Sequence, residues 1–116
     1  MYLNVNNSYG AIKISKRVIA KVAAMAAGEC YGLVGMVSRL GAPNLTELFR
    51  GEQGARGVLV REIEGGIEIN LYVVFEFGLR IQTVAENVVE RVKYSVELAT
   101  GVKVKRINVY VESVRL

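Results

Sequence analysis

The chain has 116 residues, 52% of them hydrophobic, with one Pro, one Cys, no His and a formal net charge of +4. That length and composition describe one folded domain over residues 1–116, and no apolar run reaches the roughly 20 residues needed to cross a bilayer. Lack of His removes the commonest general base and metal ligand, and a single thiol excludes an internal disulfide.

After a polar lead, Tyr9-Gly10-Ala11-Ile12-Lys13-Ile14 reads as a short strand with Ile12 and Ile14 on one face. Ser15 follows as an N-cap for a helix in which Val18, Ile19, Val22, Ala23 and Ala26 repeat at helical spacing. Lys16, Arg17 and Lys21 fall on the water side, and the helix is expected to end near Gly28 or just after Cys30. Residues 38–57 carry Gly41, Pro43, Gly51, Gly54 and Gly57, which break any long element. They form a glycine-rich flap whose Leu45, Leu48 and Phe49 either tuck onto the core or wait for a partner.

Val58 to Ile63 forms the next strand, joined by a hairpin to a long strand from Ile67 to Phe77. A two-residue turn at Gly65-Gly66 supplies the positive φ of a type I′ turn and places Val60 opposite Leu71 and Val58 opposite Val73. The competing three-residue loop sets Arg61 beside Ile69 on the apolar face, and burying an unpaired Arg outweighs any turn preference. Along the long strand Ile67, Ile69, Leu71, Val73, Phe75 and Phe77 hold one parity. Gly78 ends it. The period then becomes helical through Ile81, Val84, Ala85, Val88, Val92 and Val96, with Gly101 as the left-handed residue that stops the helix. In the last segment Val102 and Val104 share one parity and Ile107, Val109 and Val111 the other, so a bulge or late strand start near Lys105-Arg106 is expected. The expected fold is α+β: a two-layer sandwich of two helices on one face of a mixed or antiparallel sheet of about four strands, in the order β-α-β-β-α-β.

No catalytic kit accompanies these elements. Cys30 has no His partner and sits at a helix C-terminal end, where the dipole opposes thiolate formation. Glu62, Glu64 and Glu68, with Arg61 among them, read as solvated hairpin charges and not as a carboxylate pair. There is no zinc ligand set and neither Gly-rich phosphate motif. Catalytic, cofactor and metal residues are therefore expected to be absent, and the protein is not expected to be an enzyme. Gly32-Leu33-Val34-Gly35 matches the GxxG of KH domains as a string, but its two apolar residues offer no charge to clamp a phosphate backbone. Nucleic acid is the alternative partner, resting on a sequence pI near 9.4 and a loose likeness of the element order to KH-type folds, with Lys103, Lys105 and Arg106 as a basic stripe that has no aromatic pair beside it for base stacking. What the pattern does point to is an interface. Tyr72 and Val74 lie on the parity opposite the core, Leu59 pairs with Tyr72 in the favoured register, and Tyr110 also points outward. A second copy meeting that face makes a two-fold contact, and Tyr72→Glu is expected to break it without unfolding the monomer.

Four stretches carry a resemblance. They are Gly10-Ala11-Ile12-Lys13-Ile14-Ser15 before Val18-Ile19-Ala20; Tyr31-Gly32-Leu33-Val34-Gly35-Met36; Phe75-Glu76-Phe77-Gly78 before Ile81 and Val84-Ala85; and Thr100-Gly101-Val102 with Ile107-Asn108-Val109-Tyr110-Val111. Together, over about residues 8 to 114, the chain resembles the alkaline-shock and general-stress envelope proteins of Gram-positive bacteria. Leu45-Thr46-Glu47-Leu48-Phe49-Arg50 and Arg56-Gly57-Val58 look most like its short, tail-free branch. The resemblance implies a cytoplasmic, non-enzymatic, cofactor-free protein linked to envelope stress or lipid homeostasis. It also implies a homo-oligomer that reaches the membrane, without inserting into it, through a membrane-protein or lipid-metabolism partner.

Overall fold

The computed structural model describes residues 2–30, 32–36 and 57–115. Two strands open the chain, β1 (Tyr2–Asn7) and β2 (Gly10–Ser15), followed by α1 (Lys16–Gly28) and β3 (Leu33–Met36). Then come β4 (Val58–Ile63), β5 (Gly66–Glu76), α2 (Ile81–Thr100) and β6 (Val104–Arg115). The architecture is the α+β two-layer arrangement expected, with β1 and β3 as strands that the sequence reading did not foresee. The polar lead is half of an antiparallel hairpin: Leu3 pairs with Ile14 and Val5 with Ile12. Alternation is the reason, since only Leu3 and Val5 need an apolar side, and Leu3 is buried there.

β5 is the axis of the main sheet. β6 runs parallel along one side of it, while β3 and β4 share the other side, both antiparallel. Ile67, Ile69, Leu71, Val73 and Phe75 point to the helices and are all buried, whereas Phe77, expected to continue their parity, lies past the end of β5 at Glu76 and is 67% exposed. Against them α2 lays a valine stripe, Val84, Val88, Val92 and Val96, every fourth residue and every one buried. Each such side chain is worth about 1.5–3 kcal/mol on leaving water, which outweighs the small helix-propensity cost of β-branching. α1 contributes Ile19, Ala20, Ala23, Ala26 and Ala27, whose small size lets it pack closely on α2. Val18, placed on that stripe by its spacing, is instead 47% exposed, because the buried face is centred on Ile19 and Ala23.

Both helix caps are as expected. Ser15 Oγ accepts from the Arg17 amide at 3.1 Å. Gly101 at φ 75° closes α2 by donating to the Glu97 carbonyl. The hairpin register differs from both arrangements weighed from the sequence. Ile63 pairs with Gly66, so the two-residue turn is Glu64-Gly65, Val58 faces Leu71 and Val60 faces Ile69. Parity is preserved, so the same side chains reach the core; the pairing has moved by one pleat. Gly66 is needed as a strand residue instead, because a β-carbon there would collide with the Lys103 carbonyl oxygen. The bulge expected near Lys105 is present: Ile67 pairs with Val104 and Glu68 with Arg106, which skips Lys105 and keeps Val104 buried.

Candidate interaction surface

The sheet face turned away from the helices is a ladder of three rows across β4, β5 and β6. In the first row Glu68 sits between Arg61 and Arg106. Arg61 bonds Glu68 Oε1 through Nε at 2.9 Å and Nη2 at 2.7 Å, and Arg106 Nη1 reaches Oε2 at 3.0 Å. The Glu68 side chain is only 6% exposed while the two arginines are 65% and 60% exposed. Reading Glu68 as a solvated hairpin charge is therefore corrected: it is a buried carboxylate whose lone pairs are satisfied by two cations. The hydrogen bonds from Arg61 hold its carboxyl below the ordinary value, against desolvation, with Arg106 adding to the lowering. Glu62 and Glu64 are exposed as expected. The sequence carried only part of the signal for Glu68, an acid near the start of the alternating strand; the arginines of the two neighbouring strands come beside it through the sheet pairing.

The second row is an amide pair. Asn108 Nδ2 donates to Asn70 Oδ1 at 2.9 Å, and Leu59 faces Asn70 from β4. The pairing of Leu59 with Tyr72 is thus replaced by one with Asn70, a result of the shifted register. The third row is aromatic. Tyr72 and Tyr110 stack at 4.7 Å between ring centroids with 10° between planes. That spacing equals the distance between adjacent strands, so the rings stack in the strand-to-strand direction. Tyr110 is 44% exposed, Leu59 39%, and Val74 half-buried. Tyr72 is 7% exposed, so it cannot anchor an interface without first being uncovered. Leu45, Leu48 and Phe49 lie outside the described residues, as does the flap at 38–57 apart from Gly57.

Among the described residues, β6 pairs only with β5. Its core-side residues Ile107, Val109 and Val111 are only half-buried. On the helix side a groove lined by Gln82, Ala85, Glu86, Val89, Glu90 and Val109 lies between α2 and β6. The opposite flank of α2 faces α1, where Arg91 Nη2 meets Glu29 Oε1 at 2.7 Å. Cys30 lies beside that pair, half-buried, its Sγ directed at the Ala26 carbonyl 3.6 Å away. Burial pushes its thiol above the ordinary value, outweighing the nearby Arg91, so it is a weak nucleophile. Gly32 and Gly35 do not bound a free loop: Gly35 pairs with Val74 within β3, and the Gly32 carbonyl accepts from the Glu76 amide at 3.0 Å. No helix among the described residues is long and apolar enough to cross a membrane.

Among solved structures, a variant of the MamM CTD superposes with a TM-score of 0.49 at 14% identity, covering 83% of this chain and 92% of that one. Closer likeness comes from sequence. The uncharacterized protein YloU of Bacillus subtilis is 43% identical over 100% of this chain and 98% of its own length. The uncharacterized protein Spy1614 of Streptococcus pyogenes is 36% identical over 100% and 97%. YqhY of B. subtilis, also uncharacterized, is 29% identical over 91% and 78%. Residues 4–116 match the ASP23 family, described as having a cell envelope-related function, and the chain belongs to that family.

Proposed function

We propose that this protein is a non-enzymatic, self-associating interaction module that serves cell-envelope or lipid homeostasis. In this reading it is cytoplasmic and works beside the membrane through a membrane-protein or lipid-metabolism partner. The observation that carries the reading is β6. A strand of twelve residues offers backbone groups with no described neighbour, flanked by half-buried aliphatic residues on one face and Tyr110 on the other. Such an edge fits adding another strand better than holding a small substrate. The family's cell envelope-related function supports the setting. The raised Cys30 thiol and a chain without His support the non-enzymatic part. The KH-like alternative draws no support, since its GxxG string is tied into β3.

Light scattering across a concentration series tests the reading. A mass that rises from one chain to two or more in the micromolar range is expected. A monomer up to high micromolar concentration overturns the self-association.

A further inference from the structure

We propose that the end of the open sheet face nearest the Glu64-Gly65 turn binds a phosphate monoester, held by Arg61, Lys105 and Arg106. Arg61 and Arg106 reach Glu68 from the two strands that flank it. Two guanidiniums repel each other, but the buried carboxylate draws both onto its oxygens and fixes them there. Arg61 uses Nε and Nη2 on Glu68, and Arg106 uses Nη1. Arg61 Nη1 and Arg106 Nε and Nη2 make no bond among the described residues, and both side chains are more than half exposed. The outer edges of both forks are therefore aimed and unoccupied.

The bulge supplies the third cation. Without it Lys105 would stand opposite Glu68 and Arg106 would turn toward the helices; the skipped residue brings both to the open face. The Lys105 stem lies along Gly65 and Gly66, its Cγ 2.8 Å from where a β-carbon at 66 would stand and its Nζ 3.8 Å from one at 65. Lys105 is exposed and has no ion pair among the described residues. Of the other charges nearby, Glu62 shares the parity of Val58 and Val60 and lines, with Lys103, Leu3 and Val102, a separate groove at the end of the sheet. Glu64 stands exposed on the turn, at the rim. Three cations above one buried carboxylate leave positive charge on this face, and a phosphate monoester matches it. Near neutral pH it is close to a dianion, with three terminal oxygens, one for each cation, and guanidinium forks fit phosphate geometry. A second carboxylate would bring only two oxygens and one charge. The site needs no second copy of the chain.

The test titrates the isotopically labelled protein with glycerol phosphate, followed by nuclear magnetic resonance. In parallel the protein is sedimented with phosphatidylcholine vesicles carrying phosphatidic acid or, at equal surface charge, phosphatidylglycerol. Saturable binding of a monoester is expected, with the Nε–H signals of Arg61 and Arg106 moving most. Lys105→Glu breaks no bond to Glu68, so it should stay folded, and it is expected to weaken binding about tenfold or more. Lys93→Glu makes the same charge change at an exposed position on α2 and should weaken it less than about twofold. Arg61→Lys keeps a cation on Glu68 but loses the fork, and should weaken binding several-fold. Glycerol phosphate held as tightly as phosphatidic acid identifies a soluble phosphate ester as the ligand, and a preference for the vesicles identifies a lipid headgroup; either supports the site. Three results overturn it: no saturable binding of either monoester, equal losses in Lys105→Glu and Lys93→Glu, or phosphatidylglycerol or a single-stranded oligonucleotide bound as well as the monoesters.

Discussion

Gly66→Ala is the sharpest test of how the sheet meets the loop that feeds β6. A β-carbon at 66 collides with the Lys103 carbonyl oxygen and comes within 2.8 Å of Lys105 Cγ. Lys105 can swing aside, but the carbonyl cannot, because the Ile67 amide donates to it at 3.0 Å. Losing that hydrogen bond costs about 1 kcal/mol, and forcing the loop outward costs a further 1–3 kcal/mol or so. The reduced freedom of the unfolded chain returns about 0.4–1 kcal/mol. A net loss of roughly 1–3 kcal/mol results, which for a domain of this size lowers Tm by about 4 °C per kcal/mol. Urea unfolding should show a lower midpoint at an unchanged slope. Gly28 is the control: it ends α1 with nothing within 4 Å of its would-be β-carbon. Gly28→Ala should therefore stabilise by up to about 1 kcal/mol. If Gly66→Ala were as stable as the parent chain, the close approach of residue 103 to β5 would be wrong.

Glu68 should report on the acid side of stability. Its carboxyl is held below the ordinary value, so its stabilisation is present in full above the unfolded-state value and is lost as pH falls through the lower native one. Comparing pH-dependent unfolding of the parent chain with Glu68→Gln checks this, and a native carboxyl titrating at or above the ordinary value refutes it. Cys30, its thiol raised by burial, should react with a disulfide reagent more slowly than a free thiol at neutral pH, and equal rates would contradict the assignment. Tyr72→Glu, attractive on sequence grounds as an interface probe, should instead unfold the monomer. It buries a carboxylate without a cation at a 7% exposed position and costs about 3–5 kcal/mol by thermal or urea unfolding.

Periodicity carried most of the fold. Five alternating apolar residues from Ile67 to Phe75 and four valines along α2 each demand one buried side, and no other geometry satisfies them. Parity also foretold the bulge at Lys105, since Val104 and Ile107 cannot both face the core of an unbroken strand. What escaped depends on tertiary neighbours. Tyr2–Asn7 has only two apolar side chains, and its pairing shows once β2 lies beside it. The turn at Glu64-Gly65 was hidden because Gly66 is demanded by Lys103, a residue far along the chain, while local turn preference favoured Gly65-Gly66. The candidate surface was legible in part: parity put Tyr72, Val74 and Tyr110 on the open face. It could not say that Tyr110 would cover Tyr72, or that arginines from both flanks would enclose Glu68.

The shared side of β5 has a consequence for how this chain can be cut. Met36 pairs with Val73, the Tyr72 amide donates to the Gly57 carbonyl, and Val58 pairs with Leu71. The exit and the return are thus consecutive rungs of one ladder, as if a single strand had been opened and a detour spliced in. Excising residues 37–56 and joining Met36 to Gly57 asks no strand to change register. The shortened protein should therefore keep the β-sheet and helix signals of the parent in circular dichroism and unfold cooperatively. Loss of cooperative unfolding would show that the detour supplies part of the core. If the shortened chain folds, the spliced segment becomes an exchangeable cassette, replaceable without rebuilding the scaffold beneath it.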